Sequence, residues 1–259
     1  MAVPPQSAAR VEVLRLPAGA SEWDELAVEE PLEIRVNGAS VAVTMRTPGH
    51  DEELAVGFLL SEGIPAVKAQ PPQDLAANVV DAEVAGDFDL GRLQRNFYTS
   101  SSCGVCGKGA LEAVAVEADP VTSDLSVSAQ LVASLPDRLR EGQPTFAATG
   151  GLHATGLFDE SGNLVTVRED VGRHNAMDKA IGRAFEEGLL PLARHLLCVS
   201  GRLSFELVQK AAVAGCPILV AVGAPSSLAV DLARDRGITV CGFVRDGRVN
   251  VYSEPQRIT

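Results

Sequence analysis

The sequence predicts an α/β protein whose C-terminal half contains a parallel sheet. From residue 195 onward, three apolar segments, HLLCVSG, PILVAVG and ITVCGFVR, alternate with the helix-like segments SFELVQKAAVAG and SSLAVDLARDRG. Strands this uniformly apolar are usually covered on both faces, and their alternation with helices is typical of crossover connections. The chain has 259 residues, of which 46% are hydrophobic, which is enough for two domains.

The N-terminal half has a different pattern. Residues 1–28 resemble nothing familiar and are predicted to be a tail. Asn37 and Gly38 lie between two alternating apolar segments, which predicts a β-hairpin with a type I′ turn. A helix should begin at Asp51 and stop at Gly63. We therefore expect a smaller α+β domain over residues 29–120, ending in the loop that carries Cys103 and Cys106.

A larger domain should cover residues 121–259. Leu131, Leu135 and Leu139 recur every four residues, as one face of a helix requires. A hairpin turning at residues 160–163 and a helix from about residue 171 to Gly188 should precede the parallel strands. Together these elements predict a three-layer α/β domain.

Composition excludes some classes of function. The formal net charge is −12, so non-specific nucleic-acid binding through a broad basic face is not expected. No apolar run approaches the roughly 20 residues of a membrane-spanning helix, and the first residues lack a signal-peptide core. We expect a cytoplasmic protein without a membrane span.

Ligands of parallel sheets bind outside the carboxyl ends of the strands. Three segments should meet there: residues 200–202, residues 223–227 and residues 243–247. Two of them lead into helix N-termini, which suit anions, and Arg202 and Arg245 add positive charge. The alternative is that Ser and Gly here only cap helices and turn the chain, but three such segments with two arginines favour a phosphate-bearing ligand.

A second charged cluster, REDVGRHNAMDK, lies at a predicted strand-to-helix corner and contains Arg173 and His174. A carboxylate beside arginines could recognise a guanine edge together with its phosphates. In the alternative interpretation, Asp170 caps the helix and the arginines face water.

Cys103 and Cys106 form a Cys-x-x-Cys motif in a loop rich in serine and glycine. Structural zinc usually needs four ligands, whereas Cys198, Cys216 and Cys241 are scattered. Cys198 and Cys241 lie in predicted buried strands, and all three are interpreted as structural, so no metal site is predicted. The His-x-Glu of zinc deaminases is absent upstream of the pair. Disulfide exchange and sulfur transfer remain. Lys108 and a following helix would lower the pKa of a thiol here, which suits a nucleophile that accepts sulfur.

Seven segments in order carry a resemblance to a known family: EEPLEIRVNG, MRTPGHDEELAVGFLLSEGI, SSCGVCGKG, TGGLHATGLFD, REDVGRHNAMDKAIG, SGRLSFELVQKAA and GFVRDGRVNVY. From about Glu29 to Tyr252 the chain resembles the formate dehydrogenase accessory sulfurtransferase (FdhD) family. One departure is Gly223, where we expect serine.

The resemblance implies a cytoplasmic, homodimeric sulfurtransferase. It would take sulfur from a cysteine desulfurase and pass it to the molybdenum or tungsten cofactor with two pterin guanine dinucleotides, Mo-bis(molybdopterin guanine dinucleotide), for formate dehydrogenase. Cys103 corresponds to the persulfide carrier and Cys106 to an auxiliary cysteine. The larger domain should share its topology with cytidine deaminases. The family's cofactor-binding stretch corresponds to Gly242, Phe243, Val244, Arg245, Asp246 and Gly247.

With Arg202, Arg173 and His174, these residues form the expected cofactor site. The alternative function is that of a cofactor-binding chaperone whose cysteines only gate the site or sense redox state.

Overall fold

The fold was analysed in a computed structural model that describes residues 7–74, 76–86, 116 and 118–259. The N-terminal segment that was predicted to be a tail forms an antiparallel hairpin of β1 (Ala8–Arg15) and β2 (Ala20–Ala27). The open end of the hairpin, at Ser7 and Ala27, contacts the rest of the molecule. The Ser7 and Thr145 hydroxyls lie 3.5 Å apart, and a Cβ added at Gly151 would lie 3.3 Å from Ala27 Cβ.

A four-stranded sheet follows, with the order β4-β3-β6-β5. Its strands are β3 (Glu30–Val36), β4 (Ala39–Arg46), β5 (Ala66–Gln70) and β6 (Val79–Val84). Helix α1 (Asp51–Ser61) packs on this sheet and ends before Gly63, which has the positive φ that a helix stop favours. Asn37 and Gly38 have φ of 51° and 78°, so the predicted hairpin and its tight turn are confirmed.

Strand register decides which side of the hairpin is buried. Leu32 and Ile34 are fully buried, and they pair with Thr44 and Ala42. Val43 is therefore on the other face, opposite Glu33, and is 67% exposed. Alternation along the sequence located both strands, but the pairing left Val43 and Met45 of β4 exposed to solvent, whereas Val41 packs against the core.

The larger sheet has six strands in the order β12-β11-β10-β9-β7-β8. They are β7 (His153–Asp159), β8 (Leu164–Asp170), β9 (His195–Val199), β10 (Ile218–Ala221), β11 (Thr239–Arg245) and β12 (Arg248–Val251). The predicted parallel strands β9, β10 and β11 are confirmed, whereas β7, β8 and β12 join antiparallel. The sheet is therefore mixed.

Helices cover both faces of this sheet. On one side lies α2 (Ala129–Glu141), followed by the short α3 (Pro144–Thr149). On the other side lie α4 (Arg173–Glu186), α5 (Phe205–Val213) and α6 (Ser227–Asp235). Alternate residues of each strand point to opposite cores. The first core contains Leu135, Leu139, Phe158, Cys198 and Val220, and the second Met177, Leu207, Ala229, Leu197 and Leu219.

The two sheets are joined through a close crossing of α1 and α4. A Cβ added at Gly57 would lie 1.9 Å from Asp178 O, and one added at Gly182 would lie 1.9 Å from Glu53 O. The predicted α/β class is confirmed by this mixed architecture. The division into two domains at residue 120 and the likeness to cytidine deaminases remain predictions. In the part of the chain that the structure describes, no helix combines the length and the apolar character needed to cross a bilayer.

Candidate functional site

The three segments predicted to meet at the carboxyl edge of the parallel strands do meet there. Gly223 N donates to Gly201 O at 3.0 Å, which joins the ends of β10 and β9. Phe243 N donates to Gly223 O, also at 3.0 Å, which joins the end of β11 to the same point. These backbone bonds hold the three strand ends in one row, so their side chains can act on one ligand.

Gly223 is required by this close approach. A Cβ at this position would lie 2.9 Å from Gly201 O and 3.1 Å from Arg202 Cα, which is closer than a side chain tolerates. Serine was expected here from the resemblance, and the structure shows why glycine fits this chain. Gly242 has a similar role, because a Cβ added at this position would lie 2.8 Å from Pro225 Cδ. The absence of a side chain at both positions allows the neighbouring strand ends to pack closely.

The predicted cofactor stretch divides into buried and exposed residues. Gly242 and Val244 are buried within β11, whereas Arg245, Asp246 and Gly247 are exposed at the turn into β12. Phe243 is 40% exposed and has φ of 52°, a left-handed conformation that bulky residues rarely adopt. The register of β11 against β12 shifts between Gly242 and Arg245, which is a β-bulge. The bulge accounts for the positive φ of Phe243 and changes the direction of the Phe243 and Arg245 side chains.

Three arginines supply positive charge at this edge. Arg202 and Arg245 are exposed and Arg173 is half-buried. Among residues the structure describes, none of the three has an ion pair or a hydrogen bond, whereas Arg168 pairs with Glu53 on α1. In a chain with a net charge of −12, this concentration of unneutralised charge favours an anionic ligand.

A cleft of about 530 Å³ opens on the α2 side of the edge. Arg245 and Asp246 line it, together with Ser200 at the end of β9 and Arg140 near the end of α2. The Arg140 guanidinium lies 4.0 Å from the centre of the Phe146 ring. The sequence analysis missed Arg140, because in sequence it is one of several charged residues on a solvated helix.

Arg173 and His174 begin α4, at the same edge but on the opposite face of the sheet. His174 Nε2 lies 3.3 Å from Ser204 Oγ at the start of α5. His153, at the start of β7, was also missed. Burial lowers the pKa of His153, and the neighbouring Arg173 and His174 lower it further, which favours the neutral imidazole.

Asp170 does not cap α4, because the N-cap residue is Gly172. Its carboxylate is fully buried, lies 2.7 Å from Lys179 Nζ and accepts a hydrogen bond from Thr47 N at 3.1 Å. The alternative interpretation of this cluster is therefore wrong for Asp170. This residue joins the two sheets and is not available to a ligand.

The cysteines separate into two groups. Cys198, Cys216 and Cys241 are free and buried, which confirms the prediction for Cys198 and Cys241, and burial raises the pKa of Cys216 and of Cys241 to about 12. Cys103 and Cys106 lie outside the described residues. Over the ranges that the structure describes, no cluster of three or more His, Cys, Asp and Glu side chains could hold a metal ion.

Comparison with known proteins decides the family. The sequence profile of the FdhD/NarQ family matches residues 27–259. The chain belongs to the FdhD/NarQ family. The family match begins at the last residue of β2, so most of the N-terminal hairpin precedes it.

Curated relatives and a solved structure extend over nearly the whole chain. The Streptomyces avermitilis protein named sulfur carrier protein FdhD is 51% identical, with 96% of this chain and 95% of that protein covered. The protein of the same name from Sulfolobus acidocaldarius is 44% identical, with 92% and 93% covered. A crystal structure of a formate dehydrogenase accessory protein from Desulfotalea psychrophila has a TM-score of 0.76 at 26% identity, with 97% and 98% covered.

Proposed function

We propose that this protein is a sulfur carrier that accepts sulfur as a persulfide on Cys103 and passes it to the molybdenum or tungsten cofactor of formate dehydrogenase. The observation that carries the proposal is similarity over nearly the full length, at 51% sequence identity, to proteins named sulfur carrier protein FdhD. Since Cys198, Cys216 and Cys241 are buried, Cys103 and Cys106 are the cysteines left for this chemistry.

Loading needs no outside oxidant. The Cys103 thiolate attacks the outer sulfur of a persulfide on a cysteine desulfurase, a new S–S bond forms, and the donor thiolate leaves with the electron pair of the broken bond. At delivery the acceptor supplies the electron pair for its own bond to the outer sulfur. The S–S bond then breaks and its electron pair returns to Cys103 Sγ. Cys106 is assigned an auxiliary role in relaying or protecting the sulfur.

The acceptor is Mo-bis(molybdopterin guanine dinucleotide), treated as a bound substrate at the carboxyl edge. Its pyrophosphates would meet Arg245, Arg202 and Arg173, which have no ion pair within the described part of the chain and would offset the repulsion expected from an acidic protein. The N-termini of α4 and α5 point N–H groups at the same edge. The strand end from Gly242 to Gly247 forms the remaining wall of this substrate site.

Chain length allows Cys103 to reach this edge. Val116 N donates to Gln209 Oε1 at 3.0 Å, so the chain is anchored on α5 ten residues after Cys106. Gln209 lies five residues from the N-cap of α5, which is about 8 Å along the helix axis. Val116 lies thirteen positions after Cys103 (116 − 103), and a fully extended chain spans at most about 3.6 Å per residue. The fully extended length of this segment is therefore several times the distance of about 8 Å from Gln209 to the N-cap of α5.

The partners follow from the family resemblance. They are a cysteine desulfurase as donor, formate dehydrogenase as the recipient of the sulfurated cofactor, and a second copy of the chain in a cytoplasmic homodimer.

The deciding experiment is persulfide loading. The protein is incubated with a desulfurase and L-cysteine and then weighed by intact mass spectrometry. Wild type and Cys106→Ala should gain one sulfur atom and Cys103→Ala none. Absence of added sulfur on wild type, or equal loading of Cys103→Ala, would overturn the carrier function. A chaperone with non-transferring cysteines would instead let Cys103→Ala support active formate dehydrogenase.

A further inference from the structure

The N-terminal hairpin is largely exposed to solvent and has one strand edge without a neighbour in the described fold. Strand β2 contacts the short helix α3, whereas β1 pairs with β2 and with no other strand that the structure describes. Leu14, Leu16 and Trp23 are 61%, 76% and 59% exposed. Since a two-stranded sheet alone is only marginally stable in water, a hairpin this exposed indicates that a further strand covers it in the assembled protein.

The outer edge of β1 lacks the features that commonly prevent strand pairing. Proteins protect such edges with proline, lysine, a β-bulge or a very short strand. β1 has eight residues, contains neither proline nor lysine, and pairs with β2 over its whole length without a register shift. It therefore presents a long and regular row of backbone donors and acceptors to another strand.

The charges of β1 indicate which strand fits this edge. Arg15 pairs inside the hairpin, with Glu22 at 2.7 Å and Asp24 at 3.4 Å. Arg10 and Glu12 have no ion pair among the residues that the structure describes. These two charges are opposite in sign and lie two positions apart, on one face of the strand. A second β1 running antiparallel would place an opposite charge beside each of them.

We propose that β1 pairs antiparallel with β1 of a second copy of the chain across a two-fold axis at Val11, so that two hairpins form one four-stranded sheet. In this register Arg10 of each copy lies opposite Glu12 of the other, and the axis creates the contact twice. An axis at Arg10 or at Glu12 would place identical charges opposite each other, and an axis at Val13 would form neither ion pair. On the other face of the sheet Val11 meets its own copy and Ala9 meets Val13, which adds apolar contact.

The opposite edge of the hairpin is not suited to self-pairing. β2 carries Glu22, Asp24 and Glu25 and no lysine or arginine, so two copies of this strand would repel each other. The hairpin as a whole, over residues 8–27, has four acidic and two basic residues. This balance disfavours an anionic membrane or a nucleic acid as the occupant. A second copy of the chain, joined through β1, is the occupant that the charges favour.

The inference rests on the homodimer included in the proposed function, and reversal of the paired charges tests it in the full-length protein. Arg10→Glu should weaken self-association roughly 10-fold or more, because two attractive contacts become repulsive. Glu12→Arg should have the same effect, and the double variant Arg10→Glu with Glu12→Arg should associate like wild type. Arg234→Glu, on the exposed face of α6, is the matched control and should change nothing. Sedimentation velocity over a dilution series measures association, and circular dichroism checks that each variant is folded.

A cysteine at the proposed axis provides a second readout. In a background in which Cys103 and Cys106 are replaced by alanine, Val11→Cys should form a disulfide-linked dimer under mild oxidation. The reason is that directly opposite residues of an antiparallel pair have Cα atoms about 4.5–5.5 Å apart, which is within disulfide range. Val13→Cys is the control, because its two copies would lie about 14 Å apart along the strands and should stay unlinked.

The outcomes separate the interface from the rest of the proposed function. A monomeric wild type would overturn the homodimer and, with it, this pairing. A dimer that is unaffected by charge reversal and in which Val11→Cys stays unlinked would overturn the pairing alone, and the outer edge of β1 would then be left to a different partner. Neither result bears on the carrier function, which persulfide loading decides separately.

Discussion

At the scale of single residues, an exposed charge with no ion pair among the described residues distinguishes the carboxyl edge, which is the proposed substrate site. Arg194, at the amino edge of the same sheet, is also exposed, but it pairs with Asp124 and Glu160. Arg245 lies at the carboxyl edge beside the cleft, and it makes no ion pair within the described ranges. Exposed arginines at the two edges therefore differ in charge pairing, because carboxylates neutralise Arg194 but none of the described residues neutralises Arg245.

Replacement of Arg245 tests this assignment. Arg245→Ala should weaken the binding of guanosine diphosphate by roughly 10- to 100-fold, since a hydrogen bond to a charged group contributes about 1.5–3 kcal/mol. Isothermal titration calorimetry measures the loss, which should shrink as salt is added. Arg194→Ala is the control and should bind as wild type does. Unchanged affinity in Arg245→Ala would show that the nucleotide binds elsewhere.

At the scale of elements, the crossing of α1 and α4 holds the two sheets together. Glycine at positions 57 and 182 lets each helix backbone touch the other, because any Cβ would overlap a carbonyl oxygen of the partner helix. Around this contact lie buried ion pairs, among them Asp178 with Lys210 at 2.7 Å. Ser61 on α1 donates to the same carboxylate at 2.8 Å.

Gly57→Ala should therefore destabilise the protein by at least about 2 kcal/mol, although alanine is the better helix former. The physical reason is that the helices must separate to admit a methyl group that would otherwise lie 1.9 Å from Asp178 O. Urea unfolding followed by circular dichroism measures the change. Gly151→Ala is a suitable control, because its Cβ would approach Ala27 Cβ only to 3.3 Å. Equal stability of the two variants would contradict the crossing.

At the scale of the whole molecule, the ion pair between Glu53 and Arg168 joins the two sheets, and we expect its contribution to stability to depend on pH. Glu53 on α1 is buried and pairs with Arg168 on β8. Burial alone would raise the pKa of Glu53, but the hydrogen bonds from Arg168 and then His50 outweigh it and lower the pKa to about 2. Because the folded-state value is below the unfolded one, this pair stabilises the fold above the unfolded pKa, and its contribution is lost as pH falls toward 2.

Glu53→Gln should lower the free energy of unfolding by about 3 kcal/mol at neutral pH, since it breaks a buried pair and leaves Arg168 uncompensated. The difference from wild type should shrink between about pH 5 and pH 2, where the wild-type carboxylate becomes protonated. Urea midpoints across this range provide the measurement. Glu22→Gln removes an exposed partner of Arg15 and should change little at any pH. A constant difference between wild type and Glu53→Gln would contradict the assigned ionisation.

The sequence by itself determined the elements whose signals are local. Asn37 and Gly38 supply a backbone geometry that few residues can adopt, and the apolar runs from residue 195 have the length and character of buried parallel strands. The row of strand ends at the carboxyl edge follows from the same pattern. Cys198 and Cys241 were correctly expected in the core, since both lie inside apolar strand segments.

Only the tertiary structure decided the features that depend on residues far apart in sequence. The register of β4 against β3 turned Val43 outward, and the crossing of α1 and α4 made Gly57 indispensable. Arg168 and Arg173 look alike in sequence, yet Arg168 is neutralised by Glu53, whereas Arg173 has no ion pair among the residues that the structure describes. The reason is that burial and charge pairing arise from contacts across the fold, which periodicity along one segment does not encode.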